Sequence, residues 1–153
     1  MKRKTFVLFA SVVTIIFFAT PVFGEEVIQV QPSSDGNVEA SLFSAKVRKD
    51  VLTIKTKFKN VSDERASIRI DYRDVYYADV DKEKKYFALK DSEGQFIAGP
   101  KYDKKDGGRF WYKVPAGKTK ILWIKFPAPA AETATIDIFL PTFLPFEEVA
   151  FQK

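Results

Sequence analysis

The chain has 153 residues, 25 of them basic and 20 acidic, and it contains neither histidine nor cysteine. That inventory excludes Ser-His and Cys-His nucleophilic pairs, thiolate chemistry, disulfide staples and the common zinc sites, leaving carboxylates, lysines, tyrosines and backbone for any chemistry. The formal charge of +5 overstates the basicity of the folded part, because Lys2, Arg3 and Lys4 sit in a segment expected to be lost.

Residues 1–24 read as a secretory signal peptide. Met1-Lys2-Arg3-Lys4 is a basic head and residues 5–20 are an apolar run. Val22 and Gly24 stand at the −3 and −1 positions of a cut expected after Gly24. The alternative is an uncleaved anchor, since residues 5–23 just reach the ~17 that can cross a bilayer. In both cases the basic flank stays inside and the remainder is periplasmic or secreted. Three cations leave with this segment and no acid does, so 22 basic residues face 20 acidic ones, a net charge of +2. Such balance gives no argument for nucleic acid, and no membrane span is expected in the mature chain. The 129 residues left after 24 are removed suit one domain, whose core must hold without disulfides.

In chain order, residues 25–37 form an N-terminal arm or edge strand (Val27-Ile28-Gln29-Val30), ended by the breakers Pro32-Ser33-Ser34-Asp35-Gly36. The domain proper is expected over residues 38–153. Phe43, Ala45 and Val47 alternate with Ser44 and Lys46, and Arg48-Lys49-Asp50 turns this strand into a hairpin with residues 51–60. There Leu52, Ile54, Thr56 and Phe58 alternate with Thr53, Lys55, Lys57 and Lys59, the pattern of a strand with one buried and one wet face. After the turn at 60–64, Ala66, Ile68, Ile70 and Tyr72 alternate with Arg65, Ser67, Arg69 and Asp71, and this strand is expected as the second neighbour of residues 51–60. Asn60-Val61-Ser62 matches the N-glycosylation acceptor pattern at what reads as an exposed turn, although Asn and Ser are ordinary turn residues and that is the preferred account.

Strands follow at 76–81, 86–90 and 95–98, with Gly94 at a reversal and a polar loop over 101–108. Further strands are expected at 109–114 and at 118–126, where Leu122, Ile124 and Phe126 share one face and Ile121, Trp123 and Lys125 the other. The last long strand carries Ile136, Ile138 and Leu140, and residues 146–151 close the chain. No window keeps a helical period, and strands recur about every ten residues. This predicts an all-β, immunoglobulin-like antiparallel β-sandwich of about seven to nine strands, with a closed β-barrel as the alternative.

Three groups of residues are candidates for function. Lys55, Lys57 and Lys59 with Arg65 and Arg69 would line two neighbouring strands as a basic stripe for an anionic polymer, or form an ordinary solvated face. Phe110-Trp111-Tyr112, beside Arg109 and Lys113, would stack on sugars or bases, or pack a sheet. Asp79 with Asp81, and Asp103 with Asp106, are paired loop carboxylates, but neither pair has the third oxygen ligand at the spacing calcium asks for, so no metal and no cofactor are expected.

Several stretches carry a family resemblance: Lys85-Tyr86-Phe87-Ala88-Leu89-Lys90-Asp91-Ser92-Glu93-Gly94, Val114-Pro115-Ala116-Gly117, Trp123-Ile124-Lys125-Phe126-Pro127-Ala128-Pro129, Leu140-Pro141 and Pro145-Phe146-Glu147. Over roughly residues 38–151 the chain resembles exported bacterial domains of telokin-like, immunoglobulin-like β-sandwich type and unknown function, sometimes found beside OmpA-like domains. No companion domain is expected in this chain. The resemblance implies fold and compartment and brings no catalytic residue. The expectation is a non-enzymatic envelope or secreted binding domain whose partner is an envelope protein or an anionic polymer. The alternatives are a carboxylate-dependent envelope enzyme acting on glycans and a secreted enzyme inhibitor.

Overall fold

The alternation over residues 51–60 becomes strand β3 (Val51–Asn60), with Leu52, Ile54, Thr56 and Phe58 buried and Lys55 and Lys59 exposed. The computed structural model describes residues 26–102 and 108–153, so the expected signal peptide and the carboxylates Asp103 and Asp106 lie outside the described residues. β3 forms a hairpin with β2 (Val38–Arg48) through Lys49 and Asp50, both at positive φ (48° and 60°). That is the turn handedness which matches the right-handed twist of paired strands.

Nine more strands complete the set among the described residues. β1 is Gln29–Pro32, β2 precedes β3 as given, β4 is Ala66–Asp71, β5 is Tyr76–Asp79 and β6 is Lys84–Phe87. β7 is Ala98–Gly99, β8 is Arg109–Val114, β9 is Thr119–Pro127, β10 is Thr135–Phe139 and β11 is Phe146–Ala150. The described residues contain no α-helix, only a 3₁₀ turn at Tyr72–Asp74. The strands form three antiparallel sheets, ordered β1-β2-β3-β9-β7, β11-β10-β5-β6 and β4-β8, and no barrel closes. The count exceeds seven to nine partly because the arm pairs as β1 and the two-residue β7 pairs on its own.

The smaller sheets cover one face of the five-stranded sheet. Phe58 of β3 meets Phe110 of β8 at 5.4 Å between ring centroids, and Tyr77 of β5 meets Phe126 of β9 edge-on at 5.6 Å. Each such buried ring contributes about 1.5–3 kcal/mol relative to exposure, which is how a chain without cysteine holds two layers together. Tyr72 and Tyr77 are fully buried and donate their hydroxyls to the carbonyls of Pro100 and Pro127, both at 2.9 Å.

One expected pairing is corrected. β3 lies between β2 and β9, whereas β4 pairs with β8 in the opposite layer. Alternation reports a buried face but not which layer buries it, and the turn after β3 carries the chain across. Asn60 holds that crossing: it is fully buried, its Nδ2 donates to the carbonyls of Glu64 (2.6 Å) and Val114 (2.8 Å), and its Oδ1 accepts from the N–H (3.0 Å) and hydroxyl (2.8 Å) of Ser62. The glycosylation pattern therefore falls on a buried amide with both its hydrogens engaged, not on an exposed acceptor.

A second correction concerns Phe43. It is the extra residue of a β-bulge between Leu42 and Ser44, which moves the buried set from Val38, Ala40 and Leu42 to Ala45. Phe43 is consequently half-buried on the outer side, with the Lys57 ammonium 5.5 Å from its ring centre. A bulge inverts the phase of an alternating pattern without any change in composition.

Candidate binding face

With one face of the five-stranded sheet packed inward, its outer face is set by register. Lys59 lies beside Glu39 and Thr119, Lys57 beside Ser41 and Ile121, Lys55 beside Ser44 and Trp123, and Thr53 beside Lys46 and Lys125. Arg48 follows beside Val51. Lys46, Arg48, Lys55, Lys57, Lys59 and Lys125 thus share a face whose one strand carboxylate is Glu39. Neighbouring strands are about 4.8 Å apart and successive outward residues about 7 Å apart, so each of these cations lies within about a Debye length of its nearest neighbours, and the row meets an extended ligand as a group.

Two large apolar side chains stand in this field: Ile121 is 43% and Trp123 36% exposed. Trp123 pairs in register with Gly99, and a Cβ placed on Gly99 would lie 2.8–2.9 Å from three atoms of the indole. The ring therefore rests on the bare backbone of β7, and only glycine permits that approach. Where Phe43 bulges out, a groove of about 620 Å³ opens at the sheet's edge, lined by Lys46 and Lys55 of this face with Val27, Ile28 and Phe151.

The sequence-based candidates divide between the two layers. Lys55, Lys57 and Lys59 are on the outer face as expected. Arg69 belongs to β4, and because Phe58 and Phe110 meet in the core, its outward side points away from those lysines. Arg65 sits in the exposed turn before β4. The five cations thus form no single stripe; the strands that complete the basic face are β2, with Lys46 and Arg48, and β9, with Lys125.

The aromatic triplet is likewise split by its own alternation. Phe110 is fully buried, Tyr112 is half-buried against the core beside it at 4.8 Å, and Trp111 faces outward. Arg69 stands 5.9 Å from the Trp111 ring centre, Tyr102 packs on it at 4.8 Å, and its Nε1 donates to the Ser67 hydroxyl at 3.2 Å. That indole already has neighbours of its own. Trp123 is not among the sequence-based candidates, although the signal is legible: a tryptophan and an isoleucine occupy outward positions of a strand with a clean inward face.

The carboxylates Asp79 and Asp81 also separate. Asp79 is fully buried and accepts from the Thr133 hydroxyl at 2.5 Å and the Lys82 N–H at 3.3 Å, which ties the β5–β6 turn to the loop before β10. Asp81 is exposed, on an open groove with Asp137, Glu147 and Glu148. Among the described residues no three acids are placed to hold a metal ion. Elsewhere the perturbed groups serve turns. Ser33 and Asn37 hold the Asp35 carboxyl below its usual range, and Arg73 does the same for Asp71 across a 2.5 Å ion pair.

Set against known protein families, curated proteins and solved structures, the chain matches none.

Proposed function

We propose that the chain is an exported, non-enzymatic binding domain that docks an anionic polymer of the cell envelope on the outer face of its five-stranded sheet. The observation that carries this reading is the gathering of Lys46, Arg48, Lys55, Lys57, Lys59 and Lys125 on one face against Glu39 alone. A polyanion meets such a face with several ion pairs at once and is drawn to it from a distance at low salt. The commitment of Asp79 to Thr133 supports binding over carboxylate catalysis, as does the absence of histidine and cysteine from the sequence. Export rests on the pattern of residues 1–24, and no helix among the described residues is long and apolar enough to cross a membrane. The two-layered antiparallel arrangement is compatible with the immunoglobulin-like, telokin-like resemblance, which remains part of this proposal.

The test is binding of the purified protein to polygalacturonate and to inorganic polyphosphate at low and high salt. At about 1 kcal/mol per cation facing a polyanionic surface, glutamine at Lys55, Lys57 and Lys59 should weaken low-salt binding roughly 100-fold. Glutamine at Arg65, in the turn before β4, and at Arg69, on the other layer, should leave it nearly unchanged. Equal losses from the two variants, or none from the first, would remove this face from consideration.

A further inference from the structure

Resting on that reading, we infer that Trp123 is a sugar-stacking subsite, so that the polymer this face takes is an acidic polysaccharide. The indole has one face against Gly99, where an added Cβ would come within 2.8–2.9 Å of it. Its exposed third is consequently the opposite face with the ring's edge. An aromatic face carries the negative lobe of the ring quadrupole and attracts the weakly positive C–H groups of a pyranose ring laid upon it. The same geometry supplies the anionic part of the recognition. Lys55 is the cross-strand neighbour of Trp123, and Lys125 lies two residues along the same face. Cations borne at backbone positions about 5 and 7 Å from that of Trp123 suit carboxylates on the stacked sugar and on the next one. Ile121, two residues in the other direction and 43% exposed, extends the apolar floor.

Trp111 offers no comparable platform, because Arg69 and Tyr102 already pack against its ring. Nucleic acid bases also stack on indoles, but single-strand binders lay successive bases on several rings, whereas one exposed indole stands in this lysine field. Polyphosphate satisfies the cations and leaves the indole unused. The chemistry that uses both is a chain of sugar rings bearing acids.

The experiment compares polygalacturonate, inorganic polyphosphate and single-stranded DNA as ligands for the full chain and for Trp123→Ala, with folding of the variant checked by its melting curve. Loss of one stacking contact should weaken polygalacturonate binding about tenfold and leave polyphosphate binding within about twofold. Trp123→Phe, which keeps a π face, should recover most of the affinity. The protein has two tryptophans, so Trp111→Phe leaves Trp123 as the single indole reporter. Its emission should change with polygalacturonate and not with polyphosphate. Gly99→Ala, which pushes the ring from its seat, should abolish that emission response while polyphosphate still binds. Equal loss of both polyanions in Trp123→Ala, or an emission indifferent to polygalacturonate, overturns the subsite and leaves the electrostatic face standing. DNA binding tighter than polygalacturonate and equally dependent on Trp123 overturns the ligand class. Failure of all three polyanions to bind overturns the face and the subsite together.

Discussion

Asn60→Asp changes one atom of the side chain at the crossing between the two layers. In the native protein both Nδ2 hydrogens are used, toward the carbonyls of Glu64 at 2.6 Å and Val114 at 2.8 Å, while Oδ1 faces two donors from Ser62. A carboxylate keeps the Ser62 half of this arrangement and inverts the other half, placing an anionic oxygen against two carbonyl oxygens in a fully buried position. The orphaned carbonyls cost about 1–3 kcal/mol where they are buried, and a buried charge without a partner brings the total to about 3–5 kcal/mol near neutral pH. The pH dependence carries the diagnosis. Burial and the facing carbonyls disfavour the ionised form, so the introduced carboxyl has a folded pKa above its unfolded value. A raised folded pKa means that the favourable state persists below the unfolded pKa and is lost as pH rises through the folded one. Near pH 4 the protonated acid donates to one carbonyl, and the penalty should shrink to about 1 kcal/mol, the worth of the second hydrogen bond. Urea melts of wild type and variant near pH 7 and near pH 4 measure both penalties. A loss under about 1 kcal/mol at both pH values, or a larger loss in acid, would refute the role assigned to Asn60.

Two further outcomes test the core. Phe58→Ala, which removes a fully buried ring 5.4 Å from Phe110 and 5.1 Å from Phe143, should destabilise by about 3–5 kcal/mol and lower the melting temperature by roughly 10–20 °C. Lys57→Ala on the opposite face should cost under about 1 kcal/mol, and similar melting curves for the two variants would contradict the register of β3. Burial raises the phenol pKa of Tyr72 and of Tyr77, with Tyr112 adding to the first and Tyr86 and Asp79 to the second. Since the fold disfavours phenolate, their contribution is full below the ordinary value near 10 and declines as pH rises beyond it. Two of the six tyrosines should ionise only together with unfolding, seen as a late step in ultraviolet phenolate absorbance that coincides with loss of near-ultraviolet circular dichroism. A titration that finishes while the fold is intact would show that these hydroxyls are not held.

Much of the molecule was legible because strands of one-sided sheets write their faces in a two-residue period. The alternating residues from Leu52 to Phe58 and from Leu122 to Phe126 are buried where their period places them, and the hairpin at Lys49 and Asp50 follows from the tight basic turn between two alternating runs. The lysines of β3 point outward for the same reason. Alternation is a local property, however, and carries no information about the partner strand. The residues of β4 satisfy the same pattern beside β3 or across from it, and only the Asn60 hydrogen bonds and the meeting of Phe58 with Phe110 decide for the second layer. The bulge at Phe43 is invisible for a related reason, since one extra residue shifts the phase without leaving a compositional mark.

The candidate site shows the same division. By itself the sequence determined that histidine and cysteine chemistry are absent, that the chain builds one-sided antiparallel strands, and that Lys55, Lys57 and Lys59 share an outward face. Tertiary structure alone decided which other residues join them. It put Arg65 in the turn before β4 and Arg69 on the other layer, buried Phe110, closed Trp111 between Arg69 and Tyr102, and seated Trp123 on Gly99 beside Lys55. The physical reason is that burial of a face is decided within a strand, whereas the composition of a surface is decided by which strands hydrogen-bond to one another, and that choice depends on contacts far apart in the chain.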